Sequence, residues 1–114
     1  MANINKPRVV KDYEKLSKEI VEQIKLNYPR GFQRNLITFK NAQGRYVSAL
    51  PFETEEKYYL IRMTKSEAAE IIENDDDYNN AGNLKKDVRE EYEEKYDDEN
   101  FDFDNVVDSS TENY

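Results

Sequence analysis

The sequence predicts a small α+β fold, and three observations point to it. An apolar stripe at helical spacing lies between Ser17 and Tyr28, three period-two segments lie between Leu36 and Met63, and Thr64-Lys65-Ser66-Glu67 reads as a capping box. The expected core is an N-terminal helix packed on a three-stranded antiparallel meander plus a short helix, over residues 8–74. An acidic, partly helical to disordered tail is expected to follow it.

Residues 1–7 read as a flexible N-terminus, and Val9 and Val10 lead into Asp12-Tyr13 as a short extended or pre-helical stretch. Ser17 can cap a helix running to about Tyr28, with Leu16 stapled to Val21. A start near Asp12, with Tyr13 and Leu16 on the same stripe, fits the periodicity equally well. Ile20, Val21, Ile24 and Tyr28 form the apolar stripe, which leaves Lys18, Glu19, Glu22 and Lys25 expected on the wet side. Pro29 stops the helix.

Beyond the Pro29-Arg30-Gly31 turn, Leu36 to Lys40, Arg45 to Leu50 and Lys57 to Met63 are rich in aromatic and branched residues, as strands are. Asn41-Ala42-Gln43-Gly44 is a four-residue hairpin loop in which Gly44 can take positive φ. Pro51 should end the second strand near Leu50 or lie at a sheet edge. In the third strand Tyr59, Ile61 and Met63 share one face and Tyr58, Leu60 and Arg62 the other, and one of the two must take the helix. After the capping box, Ala68, Ala69, Ile71 and Ile72 continue a short helix to Glu73-Asn74.

Residues 75–83 read as an acidic linker. Residues 84–96 form a charged helix with Leu84, Val88 and Tyr92 at four-residue intervals and Asn83 as its cap. Lys85 and Lys86 come early and Glu93 and Glu94 late, against the macrodipole, so this helix should be only partly formed on its own. Residues 97–114, with DDENFDFDNVVDSSTENY, read as a disordered acidic tail.

The chain has 114 residues, 37% hydrophobic and 37% charged, a net charge of −8 and a mean hydropathy of −1.07, which suits one small domain. It has no Cys and no His, which removes the usual thiolate and imidazole nucleophiles, neutral-pH bases, zinc ligands and disulfides. Ser17, Ser48 and Ser66 have no base beyond a carboxylate or Lys, and Glu90 with Glu94 lacks the burial that splits the pKa values of a catalytic pair. The sequence thus predicts no enzyme and no cofactor. Lys6 and Arg8 precede no apolar run of a secretory signal. The longest hydrophobic run, Tyr58 to Ile61, falls far short of the roughly 20 residues that span a bilayer, so a cytoplasmic protein without membrane contact is expected.

Counted from Asp77, residues 77–88 resemble a calcium loop in part. Asp77 and Asn79 supply side-chain oxygens, Gly82 falls at position six and the Asn83 carbonyl at seven. The match fails at Ala81, Lys85 and Val88, the last standing where a bidentate Glu is needed.

The succession VVKDYEKL, a helix ending in YPRGF, the strand ITFKNAQGRYVSAL and then TEEKYYLIRMT before an Asp/Glu-rich end resembles a family of small acidic-tailed bacterial proteins of unknown function, over residues 8 to about 96. The resemblance implies a cytoplasmic bacterial protein with a small α+β core and brings no activity or functional residue. Relatives have a more continuous Asp run where this chain has Asp75-Asp76-Asp77-Tyr78-Asn79-Asn80-Ala81-Gly82, a dilution that counts against a metal role.

Charge is divided unevenly: residues 1–65 carry 13 Lys+Arg against 7 Asp+Glu, and residues 66–114 carry 4 against 18. Two binding classes fit this asymmetry. In the first, the acidic C-terminal region docks on a basic protein of the transcription, translation or replication machinery. Tyr92, Tyr96, Phe101 and Phe103 are then the anchors, and Asp102 and Asp104 are interleaved with them. In the second, Lys40, Arg45, Tyr58 and Arg62 form a nucleic-acid face on the sheet, and the tail competes for it in cis.

Overall fold

The computed structural model describes residues 6–97. The chain begins with β1 (Arg8–Asp12), a 3₁₀ turn at Tyr13–Lys15 and α1 (Lys18–Asn27). A second 3₁₀ turn at Gln33–Asn35 leads into β2 (Ile37–Lys40), β3 (Tyr46–Glu53) and β4 (Tyr58–Arg62), and α2 (Lys65–Glu73) and α3 (Lys86–Lys95) follow. The fold is α+β, with a four-stranded mixed sheet in the order β1-β4-β3-β2 in place of the expected three-stranded meander. The added strand is the Val9–Val10 stretch: β1 runs parallel to β4, with Val9 opposite Tyr59 and Lys11 opposite Ile61.

Local chemistry sets the element ends. The Ser17 hydroxyl accepts the Ile20 N–H at 3.3 Å, so α1 starts at Lys18, and the Tyr13–Lys15 turn stays separate from it. Gly31, at φ +98°, turns the chain beyond α1 in the left-handed region that favours glycine, and a Cβ there would lie 3.6 Å from the Gly82 carbonyl oxygen and 3.7 Å from Ile72. The Asn41 side chain accepts the Gln43 and Arg45 N–H groups, and Gly44 takes φ +80°, which closes the β2–β3 hairpin. Thr64 and Glu67 exchange both bonds of the capping box at the start of α2.

β3 continues through Pro51 to Glu53, and the pairing explains how. The Ser48 carbonyl accepts the Met63 N–H, so by alternation Ala49, Pro51 and Glu53 turn their backbone groups towards β2. β2 has ended by then, since Ile37 is opposite Ala49. Pro51 therefore sits at a local sheet edge where no N–H is called for, and its carbonyl accepts the Tyr28 hydroxyl.

The core lies on one side of the sheet. Val9, Leu50, Phe52, Tyr59 and Ile61 pack with Ile20 and Ile24 of α1, Met63, Ala68 of α2 and the fully buried Phe32. Phe32 meets Tyr13, Tyr28 and Tyr78 at centroid distances of 5.7, 6.2 and 6.2 Å. The opposite face carries Leu60 and Ala49 inside a rim that includes Val10 and Ile37, at 40% and 38% exposure.

Two further expectations are corrected. Glu22 and Lys25, expected in solvent, are buried at 4% and 7% exposure. The packed structure also does not stop at residue 74, because Tyr78, Leu84, Tyr92 and Tyr96 are buried too. Both corrections have one cause: the C-terminal part of the chain lies on the polar side of α1.

Phe32→Ala should lower unfolding free energy by about 3–5 kcal/mol, and Val10→Ala, on the open face, by well under about 1 kcal/mol. Urea titrations followed by circular dichroism check this; equal losses would contradict the assignment of the two sheet faces.

Candidate functional site

Residues 75–84 form a tight, packed turn. The Asn79 side chain accepts the Ala81 and Asn83 N–H groups at 2.9 and 3.0 Å, and Gly82 takes φ +84°. Tyr78 bridges to Leu84, the Leu84 N–H reaches the Pro29 carbonyl at 2.7 Å, and the Tyr78 hydroxyl donates to the Tyr28 carbonyl at 3.0 Å. The residues of the calcium reading are thus engaged within the protein: Asp77 with Lys25 and Tyr92, and Asn79 and Asn83 with each other. Among the described residues no group of three or more acidic side chains is placed to hold a metal ion.

Two polar ties fasten this region to α1. In the first, the Lys25 ammonium lies 2.7 Å from Asp75 and 2.9 Å from Asp77, and Asp77 also accepts the Tyr92 hydroxyl at 2.7 Å. In the second, Glu22 accepts Lys95 at 2.8 Å and the Tyr96 hydroxyl. Burial depresses the Lys25 pKa, but the hydrogen bonds and charges of the two carboxylates outweigh it, so the net shift is upward. Burial raises the Asp77 pKa, and Lys25 and Tyr92 more than offset that and hold the carboxyl below its usual range. Burial, first, pushes the Tyr13 phenol up to about 12, and it likewise raises Tyr78, Tyr92 and Tyr96.

These ties decide which side of α3 is available. The helix has no side-chain cap: its N-cap is Lys85, and Asn83 is used in the preceding turn. It is held by Tyr92 and Tyr96, so the two aromatics expected as partner anchors point inward. Asp87, Glu90, Glu91 and Glu94 are exposed on the opposite side, at positions i, i+3, i+4 and i+7, and form one acidic ridge. The sequence pattern contained that ridge; the four-residue spacing of the tyrosines is its complement. Phe101, Asp102, Phe103 and Asp104 lie outside the described residues.

The expected nucleic-acid face is divided. Lys40 lies opposite Tyr46, on the same side of the sheet as Ser48, with its ammonium 5.4 Å from the Tyr46 ring centroid. Tyr58 and Arg62 pair with Glu53 and Ala49 and project from the other side. Arg62 is engaged by Asp12 at 2.9 Å, and Arg45 lies at the hairpin loop. The four residues form no common surface.

A separate groove of about 920 Å³ opens between the 29–34 and 78–84 loops, α2 and the first turns of α3, with Arg30, Arg34 and Arg89 along it. Among the described residues no helix is long and apolar enough to cross a membrane. No protein-family model, curated protein or solved structure matches this chain, and the resemblance to acidic-tailed bacterial proteins rests on the quoted segments alone.

Lys25→Met should cost roughly 3 kcal/mol at pH 7, because it leaves Asp75 and Asp77 without their cation in a half-buried site. Stability should also fall on both sides of neutrality. Above about pH 10 the unfolded phenols and Lys25 lose protons that the folded chain retains, since their folded pKa values are raised. In acid, stability is lost as the pH falls below the ordinary carboxylate range and through the lowered pKa of Asp77. Urea midpoints across pH 3–11 measure this, and Tyr92→Phe should flatten the alkaline limb.

Proposed function

We propose that the protein is a non-catalytic docking protein of the cytoplasm. Its acidic ridge on α3, together with the acidic segment that follows, engages a basic surface on a protein partner. The observation that supports this reading is the anchoring of α3 through Tyr92, Tyr96 and Lys95, which holds Asp87, Glu90, Glu91 and Glu94 outward in a fixed array. A fixed row of like charges steers association and sets register at little ordering cost. Asp102 and Asp104, alternating with Phe101 and Phe103, extend the same chemistry along the chain, with aromatic contacts added. Partners with basic channels, such as the machinery of transcription, translation or replication, suit this surface.

The alternative, a nucleic-acid-binding basic half inhibited by the tail, has less support. Lys40 stands on one side of the sheet, Tyr58 and Arg62 stand on the other, and Arg62 is engaged by Asp12.

Asp87→Asn, Glu90→Gln, Glu91→Gln and Glu94→Gln combined should leave the circular dichroism spectrum unchanged. The combined change should weaken capture of a basic protein from nuclease-treated bacterial lysate by at least about tenfold at low salt. The captured protein is then purified and its affinity for both forms measured by calorimetry. Equal affinities would overturn the proposal, and capture that disappears with nuclease would favour the alternative.

A further inference from the structure

In the groove between the 29–34 and 78–84 loops three guanidinium groups, those of Arg30, Arg34 and Arg89, line a single depression. Arg30 and Arg34 are exposed, and neither meets a carboxylate among the described residues. Arg89 is paired only with Glu93, at 3.2 Å on the helix surface, and both side chains are more than half exposed. Such a pair contributes little and exchanges readily for another carboxylate. Between the arginines the lining is part apolar, with Ile72 and Tyr78, and part amide, with Asn80; Glu73 is the one carboxylate along it. In a chain of net charge −8 this is a local reversal of sign.

Guanidinium forks bind carboxylates in bidentate fashion and stack on aromatic rings, so three of them beside apolar side chains select an acidic peptide that carries aromatic residues. The chain supplies such a peptide itself, in Phe101-Asp102-Phe103-Asp104. The reach is sufficient. Arg89 precedes Tyr96 by seven helical residues, about 10 Å along the axis. The five residues from Tyr96 to Phe101 span up to about 17 Å. α3 packs against α1, on the helical side of the sheet, whereas Val10 and Ile37 lie on the opposite face.

We propose that this arginine groove binds the chain's own Phe101–Asp104 segment, so that the segment is docked in cis when no partner is bound. The linkage also holds the segment at a high effective concentration, so a partner competes with the groove for it. The inference goes beyond the proposed partner contact and does not depend on it, since cis docking requires the protein alone.

The absence of native cysteine makes the test direct. A nitroxide attached to full-length Asn105→Cys should broaden the amide NMR signals of residues 30–34 and 79–82. Arg30→Gln combined with Arg34→Gln should abolish that broadening and leave the shifts of Ile24, Leu50 and Ile61 in place. The proposal is overturned if residues 30–34 and 79–82 are not broadened, if the broadening survives the double substitution, or if it centres on Val10 and Ile37. The measurement contains no partner, so its outcome is independent of whether the acidic ridge docks on one.

Discussion

Lys25 is held at 7% exposure, and an ammonium that far from water requires counter-charge at contact distance. Asp75 and Asp77 provide it from a turn about fifty residues further along, so the chain must fold back across α1 after α2 has ended. That placement puts Asp77 within reach of the Tyr92 hydroxyl and lays α3 along the side of α1 that carries Glu22. Glu22 is satisfied in turn by Lys95 and Tyr96. Detaching α3 would thus uncover a carboxylate and an ammonium already set in a partly desolvated environment. The C-terminal helix is part of the core for electrostatic reasons as much as for the burial of its tyrosines.

What the sequence made legible and what it hid divide along the range of the interactions. The Ser17 cap, the Thr64–Glu67 capping box and the Asn41–Gly44 loop each close within four residues, so their signal is wholly local. β1 is different. Val9 and Lys11 alternate inward with Val10 outward, yet five residues with a Lys at an inward position do not declare a strand. The partner that makes them one lies fifty residues away in β4. Pro51 shows the same divide, since a local rule identifies it as an edge residue but only the length of β2 shows where the edge is.

The polar side of α1 is illegible in the sequence for a related reason. Helical periodicity separates apolar from polar positions, and it equates polar with wet unless a second element brings complementary charges. The hint lay elsewhere in the chain: Tyr78, Leu84, Tyr92 and Tyr96 are large apolar groups in a strongly charged stretch, and such groups require a surface to pack on. No local pattern says that this surface is α1.

The buried charges of α1 also change what the charge asymmetry means. Read as totals, the acidic second half looks like a surplus directed at a partner. In the folded chain part of it is internal counter-charge: Asp75 and Asp77 neutralise Lys25, while Lys95 runs the other way, from the acidic half to Glu22. Carboxylates committed to internal ions cannot also attract a ligand. Asp87, Glu90, Glu91 and Glu94 are different, because the geometry that buries Tyr92 and Tyr96 turns these four outward with no cation required of them by the core. The proposed interaction surface is therefore defined by subtraction. It is the negative charge left after the fold has met its own electrostatic needs, and its position on α3 follows from the ties that hold that helix to α1.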